Sequence, residues 1–192
     1  VVKGAAGSPY AIKNYYDVDP DLANNVNNRI HEFRDLIDRI HNNDLKAIID
    51  FVPNHLAREY YNSNNNKNTS HNTKYNFGFN DNTSLEFEVD NSFYYYQGQK
   101  LKLPNQIFDL QNIKNLKENN LIHDYHEFPA KATGNNCFNN SPNFNDWYDT
   151  VKLNYGINYR NGKKHFSLDT NSYIPKTWHS MYDVLRYWAY NG

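Results

Sequence analysis

One decapeptide, Lys46-Ala47-Ile48-Ile49-Asp50-Phe51-Val52-Pro53-Asn54-His55, constrains the fold of this chain more than any other stretch. Ala47, Ile48 and Ile49 form an apolar run too short for a helix, and Phe51 and Val52 carry it past Asp50. Such a run predicts a short strand covered on both faces. Pro53 lacks a backbone donor and ends a ladder, so Asn54 and His55 are expected where strand gives way to loop. In α/β folds that edge is where ligands bind. An Asp, an Asn and a His delivered to one strand end therefore make a candidate site.

Upstream, Asn27 or Asn28 can cap a helix whose apolar positions Ile30, Phe33, Leu36, Ile37 and Ile40 recur with helical spacing. Arg34, Asp35, Asp38 and Arg39 occupy its polar face. The helix is expected to end near Asn42-Asn43-Asp44, residues that accept a left-handed cap less readily than Gly. A helix followed by the strand to Asp50 fits a right-handed crossover unit. From about residue 56 to 146 the helical periodicity fades, and the polar tract over 62–70 lacks the apolar residues needed to order itself. Leu85-Glu86-Phe87-Glu88-Val89 and Phe93-Tyr94-Tyr95-Tyr96 read as short strands, with Asp90-Asn91 as a turn between them. A final helix begins after Pro175, with Thr177 as its cap and Trp178, Met181, Val184, Leu185 and Trp188 as its buried stripe.

Taken with its context, Asp50-Phe51-Val52-Pro53-Asn54-His55 resembles the first signature region of the α-amylase family, glycoside hydrolase family 13: Asp, three mostly apolar residues, then Asn-His. Before it, Gly7-Ser8-Pro9-Tyr10-Ala11-Ile12-Lys13-Asn14-Tyr15-Tyr16-Asp17-Val18-Asp19-Pro20 is similar to the family's segment after the second barrel strand. After it, Asp146-Trp147-Tyr148-Asp149-Thr150-Val151-Lys152-Leu153-Asn154-Tyr155-Gly156 resembles the family's short Leu-Asn motif beyond its inserted domain. The helix over 178–192 is similar to the one that runs into the family's fourth strand. Four landmarks in the right order span nearly the whole chain.

The resemblance implies an α/β fold: a partial TIM (β/α)8 barrel interrupted by an irregular inserted domain. Residues 1–55 would form part of the barrel, 56–146 the insertion, and 147–192 the return to the barrel and its third helix. It implies further that Tyr10 stacks beneath the sugar being cleaved, that His55 hydrogen-bonds the sugar's primary hydroxyl, and that Asp50 holds the loop network. Asn54 corresponds to a position that ligates a structural calcium through oxygen. The implied ligand is an α-glucan or malto-oligosaccharide, and the implied reaction is retaining hydrolysis or transglycosylation. That reaction uses two carboxylates about 5 Å apart. In the family both lie on strands beyond the helix that resembles 178–192, so the chain is expected to bind sugar without breaking the bond. A non-catalytic sugar-binding remnant or module is the alternative. Asn14 stands where many relatives carry Asp, which removes one supporting carboxylate.

Composition narrows the alternatives. A complete eight-stranded barrel needs about 250 residues, more than the 192 here. A formal charge of −1 without a Lys/Arg cluster argues against nucleic acid as partner. Apolar runs of only a few residues predict no membrane-spanning helix. Val1-Val2-Lys3-Gly4 does not resemble a signal peptide. The single cysteine, Cys137, cannot form an internal disulfide and reads as a packing residue. His123-Asp124-Tyr125-His126-Glu127 has two His three apart, but the sequence points to no third convergent ligand, so these are read as polar side chains on the surface of the inserted domain. Gly-x-Ser-x-Gly and phosphate-cradling Gly-rich motifs are absent. The 17 Tyr could supply stacking platforms, although most such rings pack in a core or at its boundary.

Overall fold

The computed structural model describes residues 1–4, 8–60, 77–105, 125–166 and 172–192. Within them lie two α-helices, α1 (Arg29–His41) and α2 (Lys176–Tyr190), and eight short strands. The strands are β1 (Val2–Lys3), β2 (Ile12–Asn14), β3 (His55–Ala57), β4 (Tyr95–Tyr96), β5 (Ala130–Lys131), β6 (Thr150–Lys152), β7 (Ile157–Asn158) and β8 (Lys163–Lys164). They pair as four separate two-stranded sheets, β1–β2, β3–β6, β4–β5 and β7–β8, all antiparallel.

This architecture overturns the expected partial TIM barrel. A barrel segment needs parallel strands joined by crossover helices, and among the described residues no parallel pair occurs. The predicted strand over 46–52 is extended chain without a ladder partner, and Ile48 and Ile49 are 96% and 48% exposed. Pairing begins after Pro53 instead of ending there, because β3 finds its hydrogen-bonding partner in β6, with His55 opposite Lys152, Leu56 opposite Val151 and Ala57 opposite Thr150. The expected strand over 85–89 is also irregular, held by turns and by side-chain bonds such as that from the Asn154 amide to the Glu88 carbonyl at 2.8 Å. The polar tract over 62–70 and His123-Asp124 lie outside the described residues.

The helix α1 forms where the periodicity places it. It ends as the Asn-Asp sequence permits: Asp44 takes φ 56°, and the amides of Asp44 and Leu45 return to the carbonyls of His41 and Ile40 at 3.0 and 3.1 Å. That paired return satisfies carbonyls which would otherwise be left open at the helix end. In α2 the buried face is Thr177, Ser180, Met181 and Val184, so it is rotated from the predicted stripe and leaves Trp178 and Leu185 partly exposed. Pro175, not Thr177, occupies the cap position. The C-terminal end of α2 meets the side of α1, where Phe33 and Trp188 stack edge to face at 5.3 Å and the Arg34 guanidinium donates to the Asn191 side chain at 2.8 Å.

Two hydrophobic cores share one wall. Phe93 and Tyr95 face the larger core with Ile12, Tyr15, Leu56, Val151, Leu153, Met181 and Val184. Tyr94 and Tyr96 face the smaller one with Leu101, Ala130 and Ala132. Successive residues of extended chain point to opposite sides, so a four-residue aromatic run serves both. Asp81 fixes that run: its carboxylate accepts from the Ser92 amide at 2.8 Å, the Tyr95 hydroxyl at 2.9 Å and the Lys176 ammonium at 2.9 Å. Between the cores and β3, Arg58 is buried and pairs with Glu127 at 2.6 Å, while Glu127 also holds Lys131 at 3.0 Å.

Candidate functional site

The β3–β6 ladder generates the site. In an antiparallel pair, residues directly opposite send their side chains from the same face. Leu56 and Val151 enter the larger core, so His55 and Lys152 emerge together on the other side. Asn54 precedes the strand and joins them. Its side-chain nitrogen donates to His55 Nδ1 at 2.9 Å and to the Gly134 carbonyl at 2.8 Å, and its oxygen accepts from Lys152 Nζ. The packing is close. A Cβ at Gly134 would stand 2.4 Å from Thr150 Oγ1 and 2.8 Å from His55 Cβ.

His55 is buried, beside the Trp147 ring and the Tyr10 backbone. The Trp147 ring lies 5.2 Å from the imidazole, centre to centre, and the Tyr10 backbone is near enough to favour the protonated ring. Burial pushes the His55 pKa below its ordinary value, the Lys152 charge pushes the same way, and the Tyr10 backbone opposes them. Burial also lowers the pKa of Lys152. Tyr10 is 55% and Trp147 49% exposed, so these two rings are what the site presents to solvent. Beneath, the buried Tyr15 hydroxyl donates to the Val52 carbonyl, with the His55 carbonyl 3.3 Å away, and the Trp188 indole donates to the Tyr15 carbonyl at 2.7 Å. The site thus stands on the same packing that seats α2.

Of the four residues singled out from the sequence, Tyr10, Asn54 and His55 are brought together. Asp50 is not; it lies in the exposed extended chain and hydrogen-bonds to no described residue. Asn14 takes a local role, accepting from the Tyr16 amide at 2.9 Å. Trp147 and Lys152 join the site although neither was singled out for it. Both lay inside a segment already noticed, but that Lys152 stands opposite His55 becomes visible only through the register of a pairing across half the chain. Burial and then Asp146 push the Cys137 thiol pKa up, which suits a packing residue.

Calcium does not fit at Asn54 as the side chains stand. Its oxygen already receives a lysine ammonium, whereas calcium takes 6–8 oxygen ligands. Among the described residues no group of three or more His, Cys, Asp or Glu could hold a metal ion. A separate hollow of about 100 Å³, lined by Phe87, Tyr94, Phe138, Tyr159, Glu86 and Arg160, falls below the roughly 300–1,000 Å³ of small-molecule pockets.

No family model, curated protein or solved structure matches this chain. The resemblance to the α-amylase family rests on its quoted residues alone.

Proposed function

We propose that the face formed by Tyr10 and Trp147 around His55 binds an α-glucan or malto-oligosaccharide, as the substrate-binding part of an α-amylase-type glycosidase or transglycosylase. The observation that carries this reading is the convergence of three resembled segments: the Tyr10 turn, the Asn54-His55 pair and the Trp147 loop meet at one imidazole. A pyranose ring has an apolar face that an exposed aromatic ring can cover, and half-exposed Tyr and Trp rings suit that contact. His55 is too buried to offer much surface itself. Its role is to anchor the two segments that carry the rings, the Tyr10 turn at its backbone and the Trp147 loop by ring contact. The residues named here bind and orient; none of them is a proton donor or nucleophile for cleavage. The reading rests on the site residues and owes nothing to a barrel.

Titration of maltotriose, followed by tryptophan fluorescence and calorimetry, tests the reading. Saturable binding is expected, with Trp147→Ala and Tyr10→Ala each weakening it about two- to tenfold, the loss of an aromatic contact of roughly 0.5–1.5 kcal/mol. Equal affinity for cellotriose would sink the α-glucan assignment. Binding that survives loss of both rings would remove the site.

A further inference from the structure

Lys152 takes no part in contact with a sugar, yet it is a buried ammonium. Among the described residues its Nζ hydrogen-bonds only to the Asn54 oxygen, and no carboxylate pairs with it. Burying a charge without a counter-ion is costly. The bond it does make has a definite chemical consequence.

An asparagine side chain can be placed either way round, and its partners decide which. Lys152 can only donate, so it must face the Asn54 oxygen. The Gly134 carbonyl can only accept, so it must face the Asn54 nitrogen. Two independent partners therefore fix one orientation. In that orientation an N–H of Asn54 points at His55 Nδ1, which must then offer its lone pair. The ring proton is left on Nε2.

We propose that Lys152 is a built-in cation: its ammonium occupies the position at the Asn54 oxygen that a calcium ion would take in the resembled family, making the site independent of calcium, and through Asn54 it holds His55 as the neutral Nε2-protonated tautomer. Lys152 is a positioning residue in this scheme. It acts on His55 through Asn54, and the β3–β6 register that sets His55 opposite Lys152 keeps all three groups on one face. A metal ion entering here would have to displace the ammonium and find its remaining oxygens elsewhere. The tautomer holds whether or not a glucan binds, since it follows from the bonds of Asn54 alone; the comparison with calcium rests on the same resemblance as the proposed function.

The test uses the full chain. Thermal unfolding in EDTA and in excess calcium is expected to give the same midpoint, and equilibrium dialysis no stoichiometric calcium. Ring ¹⁵N shifts of His55 at one neutral pH are expected to show an unprotonated Nδ1 and a protonated Nε2. In Lys152→Met, which keeps the aliphatic stem, the His55 shifts are expected to move toward a mixture of tautomers; Lys152→Arg, which retains a donor cation, is expected to keep them. One calcium bound to the wild-type protein, with a raised midpoint abolished by Asn54→Ala, would overturn the proposal. So would His55 shifts unchanged in Lys152→Met, or a protonated Nδ1 in the wild type. Should Lys152→Met fail to fold, the calcium and ¹⁵N measurements on the wild-type protein decide alone.

Discussion

Two neighbouring stretches, residues 46–52 and residues 54–57, have opposite fates. The first is the more apolar, yet only Phe51 and Val52 at its end pack on the larger core, and Ile48 is almost wholly exposed. The second carries a histidine and an asparagine and is packed and paired, with Leu56 1% exposed and the Asn54 side chain engaged by three partners. Hydropathy states what a segment needs, and pairing decides what it obtains. A short apolar run has no means of supplying its own ladder partner.

The comparison can be broken most sharply at the buried charge beside the paired stretch. Glu127→Ala leaves the Arg58 guanidinium buried without its carboxylate, and a loss of about 4 kcal/mol is expected in urea unfolding. A loss near that of a surface pair would mean that Arg58 reaches water. Next come matched truncations on the two sides. Leu56→Ala should cost about 3 kcal/mol through its cavity, whereas Ile48→Ala should stay within about 0.5 kcal/mol because its side chain already meets water. Equal losses would erase the distinction between the stretches. Gly134→Ala forces a methyl group against Thr150 and His55 and should cost about 2 kcal/mol, together with weaker maltotriose binding. An unchanged unfolding midpoint would show that the site has slack.

The smallest effect expected is in pH. The folded-state pKa of His55 lies below its unfolded value, so in the window between them the unfolded chain binds more protons. Stability should be full above the unfolded pKa and fall as the pH drops toward the folded one. Urea midpoints measured across mildly acidic pH should show that decline, and His55→Gln should flatten it. An unaltered slope in the variant would assign the decline to other groups.

What could be read in the sequence divides along the same line. The α1 helix was legible because its periodicity, polar face and Asp44 stop are local. The α2 helix was legible as a helix, but its buried face was misjudged by a rotation, since neighbours distant in sequence select Thr177 and Ser180 over Leu185. The strand over 46–52 and the barrel drawn from it failed because an apolar run does not say which strand it will meet. At the site, Tyr10, Asn54 and His55 could be picked out by their likeness to known segments. Lys152 lay in such a segment too, but its role was not legible there, because its place is set by register with a strand almost a hundred residues away.

That separation also governs when the site can come into being during synthesis. A nascent chain released only as far as residue 140 already carries Tyr10, Asn54 and His55, yet lacks Trp147, Lys152 and the whole of β6. Closing so long a loop precedes any gain from the contacts it brings. Until then Asn54 has no ammonium to orient it and β3 has an unpaired edge, the condition in which chains associate wrongly. The face proposed to bind sugar thus forms only after the chain around Asn54 and the chain around Lys152 have met, and its assembly reports that β3 and β6 have found each other.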